Sequence, residues 1–76
     1  MSVQYSAATG VKCLRIENVS STVAYFGYAV PGTSESDETW RIMKMTQLGD
    51  VTKIEYPNGT TSTNFSWTNR NTYSYS

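Results

Sequence analysis

The sequence contains no histidine and a single cysteine, Cys13. An intrachain disulfide is therefore impossible, and a zinc site would lack most of the ligands that zinc prefers. A serine or cysteine nucleophile would have no histidine to activate it, and no glycine-rich phosphate loop is present. We predict a protein that is not an enzyme, with no catalytic residues, no metal and no cofactor.

Charge is scarce as well, at 16% of residues, and six basic residues balance six acidic ones. Without a basic stripe the chain lacks the electrostatic footprint of a nucleic-acid-binding protein. No run approaches the roughly 20 apolar residues that span a bilayer, and the first residues show no signal peptide. We therefore expect no nucleic-acid partner, no membrane, and synthesis in a cytoplasm.

A chain of 76 residues forms one domain at most. A domain of this size buries only about 60% of the surface of its unfolded chain, so its core is marginal. Small domains usually add a disulfide, a metal or oligomerisation. With the first two excluded, association remains, and a net charge of zero favours it. We predict a homo-oligomer or a subunit of a larger assembly.

What the sequence does contain is a series of short segments rich in β-branched and aromatic residues, separated by turn signals. Such spacing is typical of a small barrel or sandwich. The predicted strands cover residues 11–19, 23–30, 39–47, 51–56, 60–65 and 72–76. We predict an all-β, single-domain antiparallel barrel or sandwich of five to seven short strands over 11–76. Residues 1–10 would be an N-terminal arm or a first short strand.

Residues 25–42 form the centre of this pattern: an aromatic strand, a polar loop and a second aromatic strand. On the second strand Trp40, Ile42 and Lys44 share one face, and Arg41, Met43 and Met45 the other. Neither face is fully polar, although a strand at the surface of a monomer usually has one polar face. The stretch therefore predicts two cores, one within the chain and one shared with a partner.

Four positions carry more specific expectations. Gly27, between two aromatic residues, indicates a bulge or a site where another backbone approaches closely. Cys13 is most simply a small buried hydrophobe, because the chain has no histidine that could activate its thiol. Trp40 and Ile54 should belong to the core.

Three carboxylates lie close together in the polar loop, at Glu35, Asp37 and Glu38. A calcium loop is one interpretation, but the ligand spacing of an EF-hand is absent and no helix flanks the loop. A carboxylate pair for glycoside hydrolysis could also be drawn from Glu35, Asp37, Glu38, Asp50 and Glu55, although so short a chain has little room for a cleft. A solvated loop is the interpretation that the sequence favours.

The aromatic residues are too many for so small a domain to bury completely. Some must fill the core, while others are available for a protein–protein surface, where Tyr, Trp and Arg are enriched. Stacking on sugars is a further alternative, and stacking on nucleic-acid bases is disfavoured by the neutral charge. The candidate contact residues are Phe26, Tyr28, Trp67, Arg70, Tyr73 and Tyr75, with the N-terminal arm as a second contact.

A set of short motifs extends through residues 23–76: Tyr25-x-Gly27-x-Ala29-x-Pro31-Gly32-Thr33, Trp40-Arg41-Ile42-x-Lys44, Phe65-x-Trp67-x-Asn69-Arg70, and Tyr73-Ser74-Tyr75-Ser76. Between them lies Gly49-x-Val51-Thr52-x-Ile54-x-Tyr56-x-x-Gly59. In this order the motifs resemble small virion structural proteins of tailed bacteriophages. No residue of the first twenty takes part in the likeness.

This resemblance implies a virion component: a capsid decoration or cement protein, a tail or neck subunit, or an adaptor for a tail fibre. Its partners would be other virion proteins, and its location the virion. The family brings no established catalytic residues to this chain. The alternative is a small carbohydrate-binding β module in which exposed rings such as Trp67 and Tyr73 stack on sugars.

Overall fold

The computed structural model describes residues 10–76, which form a four-stranded antiparallel sheet. The strands are β1 (Lys12–Asn18), β2 (Val23–Ala29), β3 (Arg41–Leu48) and β4 (Val51–Glu55). Each pairs with its neighbour in sequence, so the sheet is an open meander with β1 and β4 at its edges. A short 3-10 helix covers Arg70–Thr72. In this part of the chain no helix is long and apolar enough to cross a membrane.

The predicted all-β class is confirmed, and so are the strands expected over residues 11–19, 23–30, 39–47 and 51–56, to within two residues at each end. The strands expected over 60–65 and 72–76 are wrong. Those segments touch the sheet through isolated bridges, Trp40 to Phe65 and Pro57 to Tyr75. The first is a run of Thr, Ser and Asn with little apolar surface to bury on a pleated sheet, which explains why it does not extend the ladder.

The predicted turns form, although one of them does not make a hairpin. Gly32 has a φ of 93° and the Thr33 amide donates to the Val30 carbonyl at 3.0 Å, the geometry of a type II turn. Asn58 and Gly59 both have positive φ, 52° and 70°, as a type I′ turn requires. Beyond Gly59 the chain leaves β4.

The partner of the segment after β4 comes from the end of the chain. Tyr56 and Ser76 exchange two backbone hydrogen bonds of 3.0 Å, and the Asn58 amide donates to the Ser74 carbonyl. The C-terminal residues thus occupy the position along the sheet where the predicted hairpin strand would have paired. This contact brings Tyr73 and Tyr75 back over the sheet.

One face of the sheet, the packed face, carries Tyr25, Gly27 and Ala29 of β2 and Ile42 of β3. Four C-terminal aromatic residues, which we call the aromatic layer, cover it: Phe65, Trp67, Tyr73 and Tyr75. Trp40, at the start of β3, is fully buried between the sheet and this layer. Its predicted place in the core is confirmed.

Gly27 is the point of closest approach between the sheet and the aromatic layer. A Cβ at this position would lie 2.5 Å from Cε3 of Trp67 and 3.1 Å from Cε3 of Trp40. The close approach expected from the sequence is therefore present, but an aromatic side chain makes it, not another backbone. The bulge lies across the ladder on β1, between Cys13 and Arg15.

Two predicted core residues are exposed, and both predictions are wrong. Ile54 is 47% exposed because its register opposite Met45 turns it to the face away from the aromatic layer. Cys13 is also exposed, because β1 is an edge strand and the residue opposes Tyr28 on that same face. The predicted N-terminal arm falls mostly on residues 1–9, which lie outside the described residues.

Candidate interaction surface

In the described chain, no member of the buried core cluster lies on the second face of the sheet, the open face. The register of the strands places opposed residues on the same face, so the ladder defines its members. They are Cys13, Ile16 and Asn18 of β1, Ala24, Phe26 and Tyr28 of β2, Arg41, Met43, Met45 and Gln47 of β3, and Thr52 and Ile54 of β4. The predicted grouping of Arg41, Met43 and Met45 on one face is confirmed.

The apolar side chains of the open face form two continuous rows across the strands. Ile16 opposes Phe26, which opposes Met43. In the next row Ala24 opposes Met45, and Met45 opposes Ile54. Direct cross-strand neighbours have Cβ atoms about 4.5–5.5 Å apart, so these residues make one contiguous apolar surface.

Exposure of the apolar residues on this surface is highest at its two edges, and Ala24 in the second row is only 5% exposed. Ile16 is 60% exposed and Ile54 is 47% exposed, whereas Phe26, Met43 and Met45 between them are half-buried by their neighbours. Single exposed apolar residues are ordinary, whereas the largest contiguous apolar patch on a monomer, about 300–600 Å², is often a functional surface. The open face is the candidate for such a surface.

The distribution of charge between the two faces is the reverse of that expected for an isolated domain. The register places most charged strand residues on the packed face: Lys12, Arg15, Glu17, Lys44, Lys53 and Glu55. On the open face Arg41 is the one charged side chain. Depletion of charge is the compositional mark of the central region of protein interfaces.

Arg41 lies at one end of the open face, together with Tyr28. The guanidinium carbon is 5.1 Å from the centroid of the Tyr28 ring, a cation–π contact. Partial burial, and beyond that the proximity of Cys13, raises the pKa of the Tyr28 hydroxyl above its ordinary value. The phenol is therefore neutral at physiological pH, and Arg41 provides the charge at this end.

A shallow depression marks the opposite end of the face. Its lining includes Asn18, Ser20, Thr22, Ala24, Met45 and Gln47. The Ser20 hydroxyl accepts hydrogen bonds from the Thr22 and Val23 amides and so holds the β1–β2 turn in place. This end presents hydroxyl and amide groups, whereas the middle of the face is apolar.

The six contact residues predicted from the sequence are divided between the two faces. Phe26 and Tyr28 lie on the open face. Trp67, Arg70, Tyr73 and Tyr75 lie in or against the aromatic layer on the other side, where Trp67 is only 5% exposed. Their role as contacts remains a prediction, and the geometry brings only the first two together on an uncovered surface.

Trp67 is enclosed by its neighbours. The centroid of the Trp67 ring is 6.0 Å from that of the Trp40 ring. The guanidinium carbon of Arg70 lies 4.5 Å from the same Trp67 centroid. Arg70 is held there by Glu17, with Nε 2.8 Å from Oε1. This hydrogen bond holds the pKa of the Glu17 carboxyl below its usual range. With both sides occupied, Trp67 offers no free ring face on which a sugar could stack.

The tyrosines of the aromatic layer use their polar ends within the domain. The Tyr73 hydroxyl accepts a hydrogen bond of 2.9 Å from the buried Ser66 amide, and the Tyr75 hydroxyl donates to the Arg70 carbonyl. Burial raises the pKa of Tyr75 well above its ordinary value. These contacts are those of a packed layer, in which Tyr73 and Tyr75 are partly buried.

Glu35, in the acidic loop, makes contacts with two other parts of the chain. Glu35 Oε2 lies 2.7 Å from Arg15 Nε, and the Glu35 carbonyl accepts a hydrogen bond from the Thr68 amide. Among residues 10–76 no group of three or more potential metal ligands lies together. Glu35 thus ties the β2–β3 loop to β1 and to the C-terminal segment.

Sequence reasoning did not single out Ile16, Met43, Met45 and Ile54 as surface residues. The signal was present in the alternation of β3, where Met43 and Met45 share a face with Arg41. What the alternation could not supply was the choice of face, because the aromatic layer that covers one side comes from a distant part of the chain.

No family model, no curated protein and no solved structure matches this chain.

Proposed function

We propose that this protein is a non-enzymatic structural subunit that acts through protein–protein contacts in a multi-copy assembly. The observation that supports this most is the open face: a contiguous apolar surface with Arg41 as its one charged side chain. Burial of such a surface is favourable by about 25 cal/mol per Å². Exposure of these apolar side chains to water is unfavourable. A protein partner that covers the open face would remove that unfavourable exposure.

The kind of assembly follows from the motifs described above, which resemble those of small virion proteins of tailed phages. The proposed role is capsid decoration or a tail, neck or fibre-adaptor subunit, with other virion proteins as partners and the virion as location. The barrel or sandwich expected from the sequence is part of this proposal, because a layer packed on the open face would close the sheet on that side.

Mass spectrometry of gradient-purified particles tests the virion role directly. Particles from the source phage should contain this chain at many copies, in constant ratio to the major capsid or tail subunit across the gradient peak. Co-purification at trace level, or a ratio that varies across the peak, would contradict the proposal. Particles dissociated and purified a second time provide the control for adsorbed protein.

A further inference from the structure

The open face is polar at its two ends and apolar between them. Arg41 lies at one end, over Tyr28. At the far end of β3 lies Gln47, which lines the shallow depression together with the turn residues Ser20 and Thr22. With a strand rise of about 3.3 Å per residue, the two ends are about 20 Å apart. One end is cationic and the other is rich in hydroxyl and amide oxygens, so the two ends are complementary.

This polarity distinguishes between the two ways in which two copies of the face could pack by two-fold symmetry. An axis along the strands would place both Arg41 residues at the same end, about 10 Å apart at the usual spacing of stacked sheets. An axis across the strands reverses one sheet relative to the other. Each Arg41 then meets the Gln47 end of the other copy, and the apolar rows meet in the middle.

We propose that the occupant of the open face is a second copy of this chain, packed face to face about a two-fold axis that crosses the strands. The inference rests on the proposed function and names the partner for its contact surface. The product is an eight-stranded sandwich whose central core is formed by Phe26, Met43, Met45 and Ile54 of both copies. A formal net charge of zero leaves no overall repulsion between them.

The size of the face predicts how tight this dimer is. Four strands spaced about 4.8 Å apart and about 20 Å long present roughly 400 Å² per copy. A standard interface buries about 800 Å² per partner, so the dimer lies below that class. We expect reversible, concentration-dependent association in the micromolar range or weaker. Neighbouring sites in an assembly raise the effective concentration to millimolar levels, at which such a contact is occupied.

Sedimentation of the full chain over a concentration series tests the dimer. The wild-type mass should rise from the monomer value of 8.5 kDa towards twice that value. Ile54→Lys places a charge at the β4 end of one apolar row and should weaken the dimer by about tenfold or more. Val51→Lys is the matched control, since Val51 lies on the same strand, is 62% exposed and is not on the open face. It should change the affinity by less than about twofold.

Three results would overturn the proposal: a wild-type chain that stays monomeric to about 1 mM, a dimer that survives Ile54→Lys, or equal weakening by both variants. A measurement on the wild type needs no variant to fold. The methyl resonances of Met43 and Met45 should shift with concentration, while the ring resonances of buried Phe65 stay constant. Shifts of equal size at both places would also contradict the proposal.

The direction of the axis has its own test. Gln47→Glu places a carboxylate opposite Arg41 of the other copy and should tighten the dimer by about two- to fivefold at low salt. The gain should disappear in an Arg41→Gln background. No tightening, or tightening that persists without Arg41, would overturn the arrangement in which the axis crosses the strands.

The outcomes separate this inference from the proposed function. A chain present in particles at many copies but monomeric alone would contradict the dimer and leave the virion role standing. A dimer that Ile54→Lys disrupts, together with absence from particles, would support the dimer and contradict the virion role.

Discussion

The two faces of the sheet differ in how many charged side chains they carry. On the packed face, charged residues surround the aromatic layer: the Arg15 guanidinium carbon lies 5.7 Å from the Trp40 centroid, and the Lys44 ammonium lies 5.6 Å from that of Tyr75. The charged groups of these side chains lie over the ring faces and make cation–π contacts at the border of the layer. The open face has no such border except Arg41. Around the aromatic layer, the packed face is therefore covered by residues of the same chain, whereas no such layer lies on the open face.

Truncation of one isoleucine on each face should give the largest difference in the free energy of unfolding. Ile42 on the packed face is fully buried, whereas Ile54 on the open face is 47% exposed. Ile42→Ala should lower the free energy of unfolding by about 2–5 kcal/mol, since it leaves a cavity. Ile54→Ala should change it by less than about 0.5 kcal/mol.

Urea denaturation measures this pair at a protein concentration low enough to keep the chain monomeric. Equal losses from both variants would mean that the open face contributes to the stability of the monomer. Such a result would contradict the prediction that the packed face stabilises the monomer and the open face does not.

Gly27 tests the contact that closes the packed face. Gly27→Ala places a Cβ 2.5 Å from Cε3 of Trp67, so the aromatic layer must shift. Overpacking of this kind costs about 1–3 kcal/mol. The loss should shrink in a Trp67→Leu background, because the smaller side chain leaves room for the methyl group. A double-mutant cycle by chemical denaturation measures the coupling, and additive losses would mean that the two residues do not meet.

The smallest expected change in stability comes from the ion pair between Glu17 and Arg70, at the border of the aromatic layer. The hydrogen bond from Arg70 holds the pKa of Glu17 below its usual value. The stabilisation is therefore present above the ordinary glutamate pKa of about 4.3 and is lost as pH falls through the lowered value. Both side chains are partly exposed, so the effect should be below about 1 kcal/mol.

Unfolding free energies compared between pH 7 and pH 3 measure this contribution. Glu17→Gln should flatten the acid limb of the stability profile by this amount, and high salt should do the same in the wild type by screening the pair. An unchanged acid limb in Glu17→Gln would show that the pair contributes nothing.

Local patterns in the sequence were enough for the strands, since each strand depends on residues close together in the chain. The β-branched and aromatic runs around Tyr25 and Trp40 predict β2 and β3, and Pro31-Gly32 predicts the turn between them. The prediction for Ile54 failed for a different reason. Its alternation is correct, but which of two similar faces is covered depends on where residues 57–76 cross the sheet.

The contact residues show the same limit. Aromatic composition correctly indicated more rings than one small core needs, but it could not separate Phe26 and Tyr28 from Trp67 and Tyr73. The absence of a side chain at Gly27 allows the Trp67 ring to approach the sheet, and the hydrogen bond between Tyr73 and Ser66 orders the layer above it. Gly27 and Trp67 are far apart in the chain. Ser66 and Tyr73 are close in the chain, but the bend between them has no strong sequence signal.

By itself, the sequence determined the all-β class, four strands, the turns between them and the presence of apolar residues on both sides of β3. These follow from backbone preferences and from a side-chain period of two, which act over a few residues. The tertiary structure alone decided which side is the core. The C-terminal aromatic layer covers one face and leaves Ile16, Phe26, Met43 and Ile54 on the other. That choice depends on long-range packing around Gly27, which no local pattern encodes.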